Sequence, residues 1–116
     1  MGVKGSYRSG ARKYNNQPVY CDGIRFDSKL EMYRYQQLRL LEKASKIQAL
    51  ETQVRIPLHV GEIKIGHYVA DFRYVMGGDV VVEDTKCTAT KTPMYKWKKK
   101  HMKAEYGINI IEIERK

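Results

Sequence analysis

Apolar and polar residues alternate with period two through the middle of the chain and recur near period 3.6 on either side of it. Val54, Ile56, Leu58 and Val60 alternate with Arg55, Pro57 and His59, which predicts a half-buried strand led in by Ile47 to Leu50. Pro57 has no N–H to give a ladder, so this strand belongs at a sheet edge or a bulge. Gly61-Glu62 turns the chain into Ile63 to Ile65. Two further alternating runs, Tyr68 to Val75 and Val80 to Lys86, flank Gly77-Gly78. A two-residue hairpin there sets Met76 opposite Asp79, and the register runs inward until Asp71 faces Asp84. Ser28 opens a helix with Glu31 as the return half of a capping box, Leu30, Tyr33, Leu38, Leu40, Leu41 and Ala44 forming its core arc and Lys29, Gln36, Arg39 and Lys43 pointing away. Thr92-Pro93 starts a second helix and Gly107 stops it. Met94, Tyr95, Trp97, Met102, Ala104 and Tyr106 take one side of that helix, and Lys96, Lys99, Lys100 and Lys103 the other. Ile108 to Glu114 reads as a last strand, parallel to its predecessor because a helix joins them. The order is helix, three strands, helix, strand: an α/β domain with a mixed central sheet flanked by helices.

Charge narrows the function classes. The 116 residues carry 22 Lys and Arg against 13 Asp and Glu, a formal charge of +9, which fits a partner that is nucleic acid or another anionic surface. Residues 1–20 form a flexible basic arm, a solvated tail or a tracker of phosphates through Arg8, Arg12 and Lys13. Residues 21–116 form one domain, and a short extended segment, Tyr20 to Phe26, around the turn dipeptide Asp22-Gly23 leads into it. Cys21 and Cys87 are too few for a disulfide framework and point to free thiols in a reducing compartment. No apolar run approaches the roughly 20 residues of a membrane helix. The expectation is a soluble, cytoplasmic protein with no membrane partner.

The hairpin register brings chemistry with it. Opposed side chains on neighbouring strands have β-carbons about 5 Å apart, where like charges destabilise the pair unless a cation neutralises them. Asp71 and Asp84 are such a pair, and Lys86 projects from the same face as Asp84. Two hard carboxylates suit Mg2+ or Mn2+, and phosphodiester hydrolysis uses a metal, an activated water and a cation near the developing charge. The plain alternative is an interstrand salt bridge, Asp84 with Lys86 or Asp71 with Arg73. Glu83 alternates onto the opposite face and takes a supporting role. Gln53 stands near the same cleft, and His67 shares a face with Asp71. Glu31 serves either as a cap or as an acid turned toward a cleft. Between Thr85 and Ala104 there are seven lysines and no acid, which places DNA along Lys96, Lys99, Lys100 and Lys103.

The set Phe26-Asp27-Ser28-Lys29-Leu30-Glu31, Leu50-Glu51-Thr52-Gln53, Val69-Ala70-Asp71-Phe72 and Val82-Glu83-Asp84-Thr85-Lys86 resembles a family of small phage and prophage proteins within the PD-(D/E)XK nuclease superfamily. The likeness runs from about residue 13 to the end. It implies a restriction-endonuclease-like core (αβββαβ), Asp71, Asp84 and Glu31 as metal ligands, and Lys86 as the catalytic lysine. Ala70 stands where the motif's proline would be, a position that varies in the superfamily. The resulting expectation is a Mg2+-dependent DNA endonuclease selecting branched DNA, in the manner of a Holliday junction resolvase, in the cytoplasm of a bacterial host. Symmetric cutting of a four-way junction needs two active sites and hence a homodimer. The alternatives are a non-catalytic basic DNA-binding accessory protein, a non-specific or flap nuclease, and a nuclease directed at RNA.

Overall fold

Gly77 and Gly78 both take positive φ, 61° and 86°, as a type I′ turn requires and as glycine does without strain. The register predicted from them forms: Met76 pairs with Asp79, Val75 with Val80, Tyr74 with Val81, Arg73 with Val82 and Phe72 with Glu83. The computed structural model describes residues 17–86 and 90–114. They build β1 (Val19–Cys21), β2 (Ile24–Phe26), α1 (Lys29–Lys43), β3 (Gln48–Val60), β4 (Ile63–Met76), β5 (Asp79–Lys86), α2 (Pro93–Tyr106) and β6 (Ile111–Glu114). Arg8, Arg12, Lys13 and Cys87 lie outside the described residues, whereas Val19 and Tyr20, assigned to the arm, are strand. Among the described residues no helix is long and apolar enough to cross a membrane.

The chain divides into two compact units between Arg34 and Tyr35, within α1. In the first, β1 and β2 pair antiparallel around Asp22-Gly23, and Ser28 Oγ accepts the Glu31 N–H at 3.2 Å. Glu31 Oε1 in turn accepts the Asp27 N–H at 2.9 Å. The second unit holds a mixed α/β arrangement whose sheet runs β3-β4-β5-β6, antiparallel between β3, β4 and β5 and parallel between β5 and β6. Among the described residues Pro57 therefore does sit in an edge strand.

One face of this sheet meets α2. Val54, Ile56, Leu58, Tyr68, Ala70 and Val82 pack with Tyr95, Met102 and Ile110, each large aliphatic side chain contributing about 1.5–3 kcal/mol by leaving water. Thr92 Oγ1 accepts the Tyr95 N–H at 3.1 Å, Pro93 begins the helix and Gly107, at φ 69°, ends it, all as predicted. At the far end Glu105 accepts the His59 N–H at 2.7 Å, and the Tyr106 hydroxyl donates to the Pro57 carbonyl at 2.5 Å.

Both helices bury narrower stripes than expected. In α1 the arc Leu30, Tyr33, Leu38, Leu40, Leu41, Ala44 is not the core face: Leu38 is buried, Tyr33, Leu40 and Leu41 are exposed, and the buried residues are Glu31, Tyr35 and Leu38. These lie four and three residues apart, one stripe of a 3.6-residue helix. The stripe continues to Glu42, whose Oε2 accepts the Leu50 N–H at 3.0 Å. Acids on the inward stripe disguised it. In α2 only Tyr95 and Met102 are buried, seven residues and two turns apart. Trp97, about 200° round the helix from Tyr95, is exposed, as are Met94 and Tyr106. The last strand starts at Ile111 rather than Ile108, because Ile108 and Ile110 pack into the core before pairing with β5 begins.

Candidate active site

Three consecutive residues of β5, Val82, Glu83 and Asp84, are buried, so both faces of that strand are covered. Val82 joins the cluster containing Tyr68 and Ala70, yet the register sets Val82 beside Arg73 and Glu83 beside Phe72. In a uniformly alternating strand Ala70 and Phe72 would share a face and Val82 would lie on the other. Strand β4 must therefore change phase between Ala70 and Phe72, at Asp71. On β3 the residue at that level is Gln53, between Thr52, paired with Phe72, and Val54, paired with Ala70. Gln53 has φ 52°, a left-handed backbone uncommon outside glycine. The two strands are kinked together, and such irregularities re-aim side chains.

Asp71 does not form the expected ladder pair with Asp84, since β4–β5 pairing ends at Phe72 and Glu83. Instead Asp71 Oδ2 accepts the Thr85 N–H at 2.8 Å and the Thr85 hydroxyl at 2.7 Å. The carboxylate replaces a backbone partner where the strands part. Gln53 Nε2 points to Asp71 Oδ1 at 3.5 Å. Across the gap the carboxylates of Asp71 and Asp84 come within hydrogen-bonding reach, the Tyr68 hydroxyl donates to Asp84 Oδ2, and Lys86 Nζ stands 3.4 Å from the same oxygen. Lys86 also lies 4.1 Å above the centroid of the Tyr95 ring, a cation–π contact that holds the ammonium in place.

The electrostatics of this group are unusual. Burial, then the charge of Asp71 and its hydrogen-bond contact, push the Asp84 carboxyl up to about 7, against the pull of Tyr68 and Lys86. Burial and the neighbouring Asp84 carboxylate raise the Tyr68 phenol, so it stays a neutral donor. A carboxyl balanced between its two states at neutral pH, with a second acid touching it, is relieved by a cation. Mg2+ is commonly held by one or two carboxylates, with water and substrate phosphate completing its shell. Asp71 and Asp84 meet that requirement, while among the described residues no three His, Cys, Asp or Glu side chains gather to hold a metal.

The other predicted residues fall elsewhere. Glu31 belongs to the first unit, where its carboxylate closes the helix start. Glu83 is buried and accepts a hydrogen bond from the Tyr74 hydroxyl, on the face away from Asp84 as alternation requires. His67, expected on the face of Asp71, instead lies against Arg55, with Arg55 Nη1 3.0 Å from His67 Nε2. The phase change at Asp71 reverses the parity that linked them, and for the same reason brings in Tyr68. Lys96, Lys99, Lys100 and Lys103 line one cleft with Lys91, Asn109, Tyr95 and Glu112. Sequence reasoning missed Tyr68, Thr85 and Tyr95. Only Thr85 carried a signal, as a donor lying between Asp84 and Lys86.

A family model described as a protein of unknown function (DUF1064) matches residues 11–113. No curated protein and no solved structure matches the chain.

Proposed function

The chain belongs to the family described as a protein of unknown function, DUF1064, and we propose that it is a metal-dependent endonuclease hydrolysing phosphodiester bonds in DNA. The observation that carries this reading is the meeting of Asp71, Asp84 and Lys86 where β4 and β5 part. The proposal includes a restriction-endonuclease-like core, supported by the order helix, three strands, helix, strand from Lys29 onward and by a parallel final strand. It also includes selectivity for branched DNA, with two copies acting together for symmetric cutting of a four-way junction, and location in the bacterial cytoplasm.

Asp71 and Asp84 would hold Mg2+ or Mn2+, which supplies Lewis-acid polarisation of a phosphate oxygen and a more acidic bound water. In hydrolysis a water oxygen adds to phosphorus, one sugar oxygen departs as an alcohol, and the proton lost by water balances the one the leaving oxygen gains. Thr85 fixes Asp71 through two donors. Tyr68 fixes Asp84 and favours its ionised form. Lys86, held by Asp84 and the Tyr95 ring, is a ready donor to a phosphate oxygen as charge develops. Glu31, which the resemblance adds to the metal ligands, has its established place in the helix start.

A second reading, a basic DNA-binding accessory protein without catalysis, draws support from the absence of a third metal-ligating side chain among the described residues. Labelled four-way junction, flap, plain duplex and RNA, each incubated with Mg2+, with Mn2+ and without metal, decide between them. Junction cutting that requires Mg2+ and vanishes in Asp84→Ala is expected. Binding without cutting in either metal establishes the accessory protein, and equal rates on junction and duplex remove the branch selectivity.

A further inference from the structure

We propose that the cleft between α2 and the residues leading into β6 is the track for the phosphate backbone of the nucleic-acid strand that reaches Asp71 and Asp84. This deepens the nuclease reading and rests on it for the fate of the strand, though not for its binding. The cleft encloses about 570 Å³ and is lined by Lys91, Lys96, Lys99, Lys100, Lys103 and Asn109, with Tyr95 and a single acid, Glu112. Five ammonium groups gather around one cleft, two of them offset by acids, Lys99 by Glu112 and Lys91 by Glu112 and Glu114, and the positive field that remains inside it focuses on an anion better than lysines spread over a convex surface. Lys96 to Lys103 covers seven helical steps, about 10 Å, the axial length of about three phosphates of one strand. An extended polyanion matches that row better than one compact anion.

Glu112 organises the floor. Its carboxylate accepts from the Tyr95 hydroxyl at 2.8 Å and from Lys99 Nζ at 3.0 Å, and it lies 3.2 Å from Lys91 Nζ. Partial burial opposes its ionisation, but those three donors outweigh it and hold the carboxyl down at about 2. Lys99 is thereby kept in a fixed position, as is Lys91, which also donates to Glu114 at 2.7 Å, while Lys96, Lys100 and Lys103 face the incoming strand. Tyr95 joins the cleft to the acid pair: its hydroxyl is on Glu112, its ring lies under Lys86 and beside the Tyr68 ring at 6.4 Å. Substrate held in the cleft is thus one side chain away from the lysine that serves the reaction.

The test is binding of a labelled 20-nucleotide strand, measured by fluorescence anisotropy over a salt series in EDTA, so that hydrolysis plays no part. Replacing Lys96, Lys100 and Lys103 together by alanine should weaken binding on the order of 10- to 100-fold and flatten the slope of log affinity against log salt by about 2. The same charge removed at the exposed Lys43, Lys46 and Lys64 should do far less. Equal losses in the two triple variants, or no binding by the wild type, overturn the proposal. Displacement of the strand by inorganic triphosphate at equal affinity overturns it in favour of a pocket for free polyphosphate. If the triple variant melts early, Lys96→Gln alone should still lower the slope by about 0.7, and an unchanged slope counts against the track. Lost binding in a chain that never cuts leaves the track standing without the nuclease, and undiminished binding in a triple variant of a chain that cuts does the reverse.

Discussion

Two adjacent carboxylates of β5 are both buried and both accept a tyrosine hydroxyl, Glu83 from Tyr74 and Asp84 from Tyr68, but only around Asp84 are a second acid and an ammonium identified. On the Glu83 side the sheet solves an ordinary problem, supplying a donor to a buried acid. On the Asp84 side it brings two like charges together, raises one carboxyl to about 7 and retains the cost. A tyrosine beside a carboxylate is thus structural in itself; the added acid is what makes the Asp84 face the candidate site.

Exchanging the two acids is the most severe way to break this comparison. Asp84→Asn should reduce Mg2+-dependent cleavage by about 10³-fold or more while the strand still binds, whereas Glu83→Gln should leave the rate within about threefold. Stability should follow the opposite order, with Glu83→Ala costing about 1–3 kcal/mol in urea denaturation by stranding the Tyr74 hydroxyl. A Glu83 variant that loses cleavage at unchanged stability would exchange the two roles.

Acidity gives a smaller effect with a definite sign. The folded Asp84 carboxyl sits at about 7 against an ordinary 3.8, so the native state holds the proton more tightly between those values. That contribution to stability is full below about pH 4 and is lost as pH rises to 7. In EDTA, Asp84→Asn should therefore gain on the wild type between pH 4.5 and 8, by at most about 4 kcal/mol. Mg2+ at pH 8 should narrow the gap by binding the ionised wild-type pair. Parallel stability curves for the two proteins would remove the charge conflict from the site.

Tyr68→Phe should have the mildest effect. Without the hydroxyl that favours ionised Asp84, the rising limb of cleavage against pH should move upward by about half a unit to one unit, with the plateau rate retained. An unmoved limb accompanied by a lower plateau would assign the tyrosine to substrate instead.

Local punctuation made most of the fold legible. Gly77-Gly78 fixed five pairs of the central hairpin, and Thr92, Pro93 and Gly107 bounded α2, because each acts through its own backbone geometry. Burial was harder to read. The inward stripe of α1 includes Glu31, which an apolar-arc argument excludes by type. The site itself was half legible: the hairpin register brings the stretches carrying Asp71, Asp84 and Lys86 together, but the pairing stops at Phe72 and Glu83, short of the expected Asp71–Asp84 pair, and Tyr68 has the wrong parity for that face until the strand changes phase at Asp71. The partner of that change is a glutamine at φ 52°, and nothing in the glutamine side chain announces such a backbone.

Pro57 lies within the outermost strand, where a row of unused backbone groups would otherwise invite another chain to zip alongside. It offers no N–H there, and its carbonyl is already taken by Tyr106. The row is interrupted inside its 13-residue length, so cross-strand recruitment along this border, the first step toward fibrous self-association, stalls at the proline.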